Sequence, residues 1–485
     1  MLKLILKQAN WGALGTVFAF SIGFFVKIYL IDIVKLHEWG KYSAAQTFSS
    51  FAETILSIGI PLVIIRFFPA FIERNKAKAS RVANIFLKYS LIVGLGFLLI
   101  IYLGLDYIDH VVYKEIDDLG LILFFMCIHV PISMLFGVVI SLYRSVFKIK
   151  EIVLYGTVIS VSLRAVLTFI IFQFTDNISH FILIEIFTQI IVLSILLYLF
   201  NKNECSLFVK SDLKEVTRDI KMLDYGQKMF LNSIISFFSG YALSIVITFT
   251  LSPADIGAYN ILLTLTGLTT FLLINLNKVF APAISKLYSE NKIIELNALY
   301  KKTTFLINIL TIPLIVVIAI FADEILGLYT AEMQEYKDYL FLMIVGGMLS
   351  LAAGSSGTFM IMAGLEKQDL YIQFIRGFFL FVLSFFLINY FSVSSGMLVI
   401  VVLYVVFMLF VNVSQLIYIK RYINISPFSK DLILLFLVTF IGMYIAINQE
   451  YIFDLVHFFL IPIGVYLGYF LLLFNPIRSL IRELR

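Results

Sequence analysis

Six basic residues, Lys27, Arg66, Lys88, Arg164, Lys278 and Arg376, interrupt segments that are otherwise apolar enough to lie in lipid. Only two carboxylates, Glu53 and Glu185, sit at comparable depth. An ionised side chain at bilayer depth costs at least about 2.5 kcal/mol, so such residues turn toward a bundle interior or a water-filled cavity, where they are solvated or paired. Six cations against two anions leave the interior net positive, which suits an anionic cargo. Arginine adds geometry to charge, because its planar fork holds a phosphate through two parallel hydrogen bonds.

The six cations divide by position. Arg66 and Lys278 each shortly precede a repeated proline near the inner end of a span, and Lys88 is also close to the inner face. Long basic side chains there reach the headgroups by snorkelling. Lys27 continues a one-face stripe of small residues, Gly15, Ala19 and Gly23, echoed about 217 positions later by Asn232, Ser236, Gly240 and Ser244. Such a stripe either packs helices closely or lines a cleft. Arg164 and Arg376 occupy equivalent places in a repeat. Lys27, Arg164 and Arg376 are therefore the first candidates for an anion site, ahead of Arg66, Lys88 and Lys278.

Glu53 belongs to a second polar stripe, Gln46, Ser50, Glu53 and Ser57. It either pairs with a cation such as Lys27 or Arg66, or binds a coupling H+ or Na+. Pro61, further along the same span, removes a helical hydrogen bond and permits a bend. Glu185, one turn before Gln189, is placed to neutralise Arg164. His129 reads as a hydrogen-bonded interior residue in preference to a proton relay. The run Gly354-Ser355-Ser356-Gly357-Thr358 weakens a helix at mid-depth and predicts a kink or close packing.

The elements that carry these residues are membrane helices. The 485 residues are 61% hydrophobic and only 14% charged, with a mean hydropathy of +1.00, which no soluble fold matches. Long apolar stretches recur along the whole chain, and alternating ten-residue barrel strands are absent. The hydropathy predicts about 14 transmembrane helices, near 11–34, 43–65, 83–105, 119–142, 152–174, 179–200, 229–251, 257–280, 303–322, 339–362, 371–391, 395–418, 431–448 and 455–475. Loop charge alternates with this count. Most of the 36 lysines and arginines fall on one side, whereas the other carries Lys35, Lys41, Lys114 and Lys337 among acidic loops. The positive-inside rule then places both termini in the cytoplasm. The first apolar run contains Lys27 and lacks a small-residue cleavage site, which argues against a cleaved signal peptide.

The chain also repeats. Gly40-Lys41-Tyr42 opens the second span and Gly257-Ala258-Tyr259 the eighth, about 217 positions later; Phe68-Pro69-Ala70 and Ala281-Pro282-Ala283 close them. An even number of spans per repeat gives two parallel lobes, related by an axis along the membrane normal. The expected organisation is a six-helix lobe at 1–200, a cytoplasmic linker at 201–228, a second six-helix lobe at 229–420, and two further helices with a tail at 421–485. Parallel lobes usually hold substrate between them and rock about it.

Several chemistries are excluded. No phosphate-binding glycine loop, His-Glu-x-x-His helix or serine nucleophile elbow is present. Cys127 and Cys205 suggest neither a disulfide nor a metal site. Asp106 and Asp109 could imitate the acidic outer loop of a lipid-dependent glycosyltransferase, although acidic outer loops also satisfy the charge rule. No cofactor, metal or nucleic-acid partner is expected.

The Gly-x-Tyr openings of spans two and eight, the Arg66-Phe67-Phe68-Pro69 exit and the Phe321 to Tyr329 stretch resemble the polysaccharide-transporter branch of the multidrug/oligosaccharidyl-lipid/polysaccharide (MOP) superfamily, most nearly the Wzx-type O-antigen and capsule flippases. The resemblance covers the whole chain but brings no set of catalytic residues. It implies a non-enzymatic protein of the bacterial plasma membrane, with two six-helix bundles forming a V-shaped central cleft. It implies an undecaprenyl-pyrophosphate-linked oligosaccharide as cargo, moved from the inner to the outer leaflet by alternating access. Membrane lipids and other polysaccharide-assembly membrane proteins would be its partners. The alternatives are a multidrug or peptidoglycan-precursor exporter of the same superfamily, which the cationic balance disfavours for cationic drugs, and a membrane glycosyltransferase or polymerase.

Overall fold

The computed structural model describes residues 2–107, 119–211, 220–391 and 396–447, with Gly464 and Gly468. Every long element among them is a helix. In chain order these are α1 (Leu2–Leu56), α2 (Ile60–Arg74), α3 (Lys76–Leu103), α4 (Leu119–Ser145), α5 (Ser160–Ile171, entered through a π-helical segment at Ile152–Ile159), α6 (Ile178–Asn203) and α7 (Ile220–Thr250). There follow α8 (Pro253–Ser289), α9 (Ile293–Ile320), α10 (Lys337–Ala352), α11 (Ser356–Met362), α12 (Glu366–Phe391), α13 (Gly396–Tyr422) and α14 (Lys430–Ile447). The protein is an all-α, multi-pass membrane protein, and 11 helical stretches among the described residues are long and apolar enough to cross a bilayer.

Among the described residues, helices cover the expected spans as far as 431–448, with three changes. Spans one and two are not joined by a loop: α1 runs through both, turned at Lys35, whose φ of 70° is the one non-helical point. Span two instead breaks further on, where Ile58 and Gly59 take positive φ and Pro61 stands in the first turn of α2. Proline suits that position because the missing N–H would have no helical partner. Span ten divides into α10 and α11 at Gly354, φ +59°. The final expected span at 455–475 and most of the acidic loop around Asp109 lie outside the described residues.

Local signals explain several helix starts. Asn75 caps α3 by accepting from Lys78 N, and Asn177 caps α6 by accepting from Ser179 N. Ser252 and Asp255 form a reciprocal pair ahead of α8, with Pro253 in its first turn.

The chain folds as two compact units, Met1–Gly257 and Ala258–Arg485. In the first, α7 packs on α1 and α2, and α4 is central, touching α1, α2, α3 and α6. Its core gathers Ile64, Phe68, Val139, Tyr143, Leu196 and Phe200. The loop after α6 joins this core through Cys205 and Leu207, and Asn84 of α3 donates to the Leu207 carbonyl at 2.7 Å. The core of the second unit stacks Tyr300 on Phe359 at 4.0 Å, beside Ile284, Met360 and Ile419.

Candidate functional site

A polar cavity of about 280 Å³ lies inside the first unit, between α1, α4, α5 and α6. The polar stripe of the second span supplies one wall: Gln46, Ser50 and Glu53 follow each other by about a helical turn along α1. The opposite wall comes from Ser160 and Arg164 of α5 and Glu185, Thr188 and Gln189 of α6. His129 of α4 closes the cavity.

Arg164 and Glu185 form an ion pair across this cavity, with Nη1 donating to Oε1 at 2.7 Å. The Tyr42 hydroxyl donates to the other carboxylate oxygen at 2.8 Å, and Gln46 Nε2 donates to that hydroxyl at 3.3 Å. The pair is partly shielded, with side-chain exposures of 32% and 12%. Each oxygen of Glu185 thus accepts from a different element, which fixes the carboxylate between α1 and α5. Tyr42 is a site residue that the sequence marked only as part of a repeated motif.

Glu53 has a different setting. It accepts a hydrogen bond from Ser133 of α4 and lines two cavities: the one above, and a second of about 290 Å³ with Ser57, Pro61, Gly137, Ser233, Phe237 and Tyr241 on its walls. Arg66, one of the cations expected to neutralise it, lies instead over the Tyr225 ring at 4.2 Å and near Phe67 at 5.7 Å. Pro61 and the break before α2 turn Arg66 away from the cavities.

The net positive interior is not found in these cavities. Among the described residues, Arg164 is the one cation lining them, against the carboxylates of Glu53 and Glu185. The expected neutralisation of Arg164 by Glu185 is present, and Lys27, Arg66 and Lys88 are not among the residues that line these two cavities. Lys27 sits 5.1 Å above the Trp39 ring, a cation–π contact. Arg66 and Lys88 are exposed on their helices, the arrangement expected of snorkelling side chains. Lys278 lies in α8, and its side chain is outside the described residues.

Arg376, the expected repeat counterpart of Arg164, has no carboxylate among its described neighbours. The ionisable groups near it are the hydroxyls of Tyr259 and Tyr404, and its Nε is buried without a hydrogen-bond partner. Tyr42 and Tyr259, equivalent tyrosines of the Gly-x-Tyr motifs, therefore each accompany the arginine of their own repeat. Where the first repeat adds Glu185 from α6, the second adds Tyr404 from α13.

The small-residue stripe has a mixed role. A Cβ on Gly15 would strike Val153 at 2.7 Å, so Gly15 serves helix packing, whereas Gly23 and Gly240 have nothing within 4 Å. No group of three or more His, Cys, Asp or Glu residues is placed to hold a metal among the described residues.

The family model for polysaccharide biosynthesis proteins matches residues 5–288, more than half the chain. The chain belongs to this family. No curated protein matches it. Solved structures share its fold at low identity. A MOP superfamily transporter from Pyrococcus furiosus, described by a binding pocket of reverse polarity that suggests a different function, is 14% identical with a TM-score of 0.61 over 87% of this chain and 96% of that one. An inward-facing multidrug resistance MATE family transporter of the same superfamily is 14% identical with a TM-score of 0.66, covering 82% and 94%. An outward-facing multidrug resistance MATE family transporter of the superfamily is 16% identical with a TM-score of 0.60, covering 87% and 96%. The family member thus has the fold of MOP transporters, with polar groups buried in its first unit where a passive scaffold would be apolar.

Proposed function

We propose that this polysaccharide biosynthesis family member is a flippase, moving a glycan carried on an anionic polyprenyl pyrophosphate from the inner to the outer leaflet of a bacterial plasma membrane by alternating access. One observation carries the reading: a chain of a polysaccharide-assembly family has a transporter fold. Biosynthesis of a surface glycan from cytoplasmic precursors requires a membrane crossing, and this fold supports one. The protein acts as a transporter and not as an enzyme in this reading, with both termini cytoplasmic.

A buried basic group with no carboxylate beside it among the described residues favours an anionic cargo. Arg376 is one, and a guanidinium between tyrosine hydroxyls can turn its fork to a phosphate. Lys27 and the paired Arg164 are the other proposed contacts. Glu53, facing two cavities with a single serine partner, is the proposed site of a coupling proton or sodium ion. In the relative from Pyrococcus furiosus the reverse polarity of the binding pocket suggests a different function, which supports reading pocket charge as a guide to cargo.

The test replaces Lys27, Arg164 and Arg376 with alanine, singly and together, and measures surface polysaccharide at matched protein levels. Loss of export in the triple variant, with accumulation of lipid-linked glycan in the inner leaflet, is the expected result. Full export by every variant defeats the anion-site reading. Drug-resistance profiling and rescue of a precursor-flippase depletion separate the multidrug and peptidoglycan-precursor alternatives. Replacing Asp106 and Asp109 together would abolish activity if the protein were a glycosyltransferase.

A further inference from the structure

The second cavity, of about 290 Å³, lies wholly within the first unit, between α1, α2, α4 and α7. Small-molecule sites run upward from about 300 Å³, so this one suits a single ring better than an extended ligand. Glu53, Thr54 and Ser57 line it from α1. Ser233, Phe237 and Tyr241, spaced by four along one face of α7, line it from the other side.

The polar lining accepts hydrogen bonds and offers few. Thr54 donates to the Ser50 carbonyl at 2.9 Å, Ser57 to the Thr54 carbonyl at 3.2 Å and Ser233 to the Met229 carbonyl at 2.9 Å. With those hydrogens spent on the helices, the three hydroxyl oxygens have only lone pairs left for the cavity. Glu53 has more to give. Of the roughly four acceptor positions on its carboxylate, Ser133 takes one. No basic side chain lines this cavity among the described residues, whereas Arg164 lines its neighbour.

The facing wall is an aromatic platform. The Phe237 and Tyr241 rings stack with centroids 4.6 Å apart and planes 11° from parallel, and Phe51 packs against Phe237 at 5.5 Å. Phe237 is buried and Tyr241 is 43% exposed, so the platform is anchored at one ring and open at the other. The negative face of an aromatic ring attracts the positive hydrogens of C–H bonds. A ligand matched to both walls has O–H or N–H donors round its rim and C–H bonds on its flat face, which describes a sugar ring. An acidic ligand would meet a carboxylate and a row of acceptors with no cation to pair with.

We propose that this cavity is a subsite for one uncharged sugar residue of the carried glycan, its hydroxyls donating to Glu53 and Ser57 and its C–H face lying on Phe237 and Tyr241. This rests on the flippase reading for the presence of a glycan, and adds the class of sugar: a neutral hexose or an N-acetylated amino sugar, and not a uronic acid. Phosphate is excluded on the same ground, so the sugar and the pyrophosphate are held in different places. Glu53 can serve a coupling proton and the sugar in turn, since the acid form gives up acceptor capacity. A carboxylate beside an aromatic face also suits an organic ammonium, but a quaternary ammonium has no donor for the hydroxyl oxygens.

Full-length protein in nanodiscs is titrated with the methyl glycosides of glucose, galactose, mannose, rhamnose and N-acetylglucosamine, with methyl glucuronide, and with tetraethylammonium, and binding is read by saturation-transfer difference NMR. At least one neutral glycoside should bind, with saturation strongest at its ring C–H protons, and the glucuronide should bind about tenfold more weakly or not at all. Glu53→Gln should weaken the neutral glycoside about tenfold and Tyr241→Leu severalfold, while Tyr241→Phe keeps the platform and the binding. Thermal melting confirms that each variant is folded; should Tyr241→Leu fail to fold, Ser57→Ala, expected to weaken binding by about threefold, takes its place. Absence of binding by every neutral glycoside overturns the proposal, as does glucuronide binding of equal strength, or glycoside binding that Glu53→Gln and Tyr241→Leu leave unchanged. Tetraethylammonium binding alone, lost in Glu53→Gln, assigns the cavity to organic cations instead. None of these results measures export, so the flippase reading stands or falls separately on the surface-glycan assay.

Discussion

Tyr42 donates to Oε2 of Glu185 at 2.8 Å, on the carboxylate whose other oxygen Arg164 holds at 2.7 Å. This contact ties α1 to α6 around a charge that would otherwise be isolated between helices. Tyr259, of the second Gly-x-Tyr motif, accompanies Arg376 with no carboxylate beside them among the described residues. The Gly-x-Tyr motifs thus each place a tyrosine near an arginine, and among the described residues a carboxylate pairs with Arg164 but none is near Arg376.

That asymmetry predicts different genetics for the two arginines. Glu185→Gln leaves Arg164 uncompensated. A fully buried broken pair costs about 3–5 kcal/mol, and with a third of Arg164 exposed the expected loss is nearer 1–3 kcal/mol. Adding Arg164→Gln should recover much of it, giving a coupling energy in a double-mutant cycle. Arg376→Gln has no carboxylate whose removal would rescue it, and should lower export more than stability. Thermal melting and surface-glycan assays on the same variants check both halves. Equal stability losses at the two arginines would contradict the asymmetry.

The repeated glycines make a second prediction. A Cβ on Gly40 would lie 1.7 Å from the Pro253 carbonyl oxygen, and one on Gly257 would lie 2.6 Å from that of Leu36 and 3.1 Å from Gly40 N. The two motif glycines let the openings of α8 and the second part of α1 meet backbone to backbone. Gly40→Ala and Gly257→Ala should each destabilise by about 1–3 kcal/mol, since the clash is with backbone that cannot rotate away. Gly96→Ala, with nothing within 4 Å, should be neutral or gain up to about 1 kcal/mol from helix propensity. Denaturation of purified protein in detergent orders the three.

These cases show how much the sequence carried. Glycine and tyrosine at a constant offset were visible as a repeat, and the structure supplies the reason for each: close backbone approach for Gly40 and Gly257, a hydroxyl beside an arginine for Tyr42 and Tyr259. The stripe Gln46, Ser50, Glu53 and Ser57 was legible because helical spacing alone puts these residues on one wall. The partner of Glu53 was not, because Ser133 is 80 residues away on another helix and nothing local marks it. The surroundings of the basic residues were not legible for the same reason. Depth along a span follows from hydropathy, but whether Arg66 turns to a cavity or to Tyr225 depends on the bend at Gly59 and Pro61.

Cys205 tests the loop after α6. Sequence placed it in a charged cytoplasmic connection, yet its side chain joins the core of the first unit, beside Leu207. Burial pushes its thiol above the ordinary value of 9.0, against a smaller opposing effect of the Ser80 hydrogen bond. An acid whose folded pKa is raised favours the native state while protonated. Its contribution is therefore complete below the unfolded thiol pKa and is lost as pH rises from there through the folded value. Maleimide labelling of native protein at pH 7–8 should accordingly leave Cys205 unmodified over times that label an engineered cysteine at exposed Lys202, and denaturant should abolish the difference. Prompt native labelling would mean that the loop does not pack on α3. Asn84→Ala, which removes the 2.7 Å bond to the Leu207 carbonyl, should speed the labelling at a given pH without changing the rate at the exposed control, because it loosens the loop and leaves the thiol itself untouched.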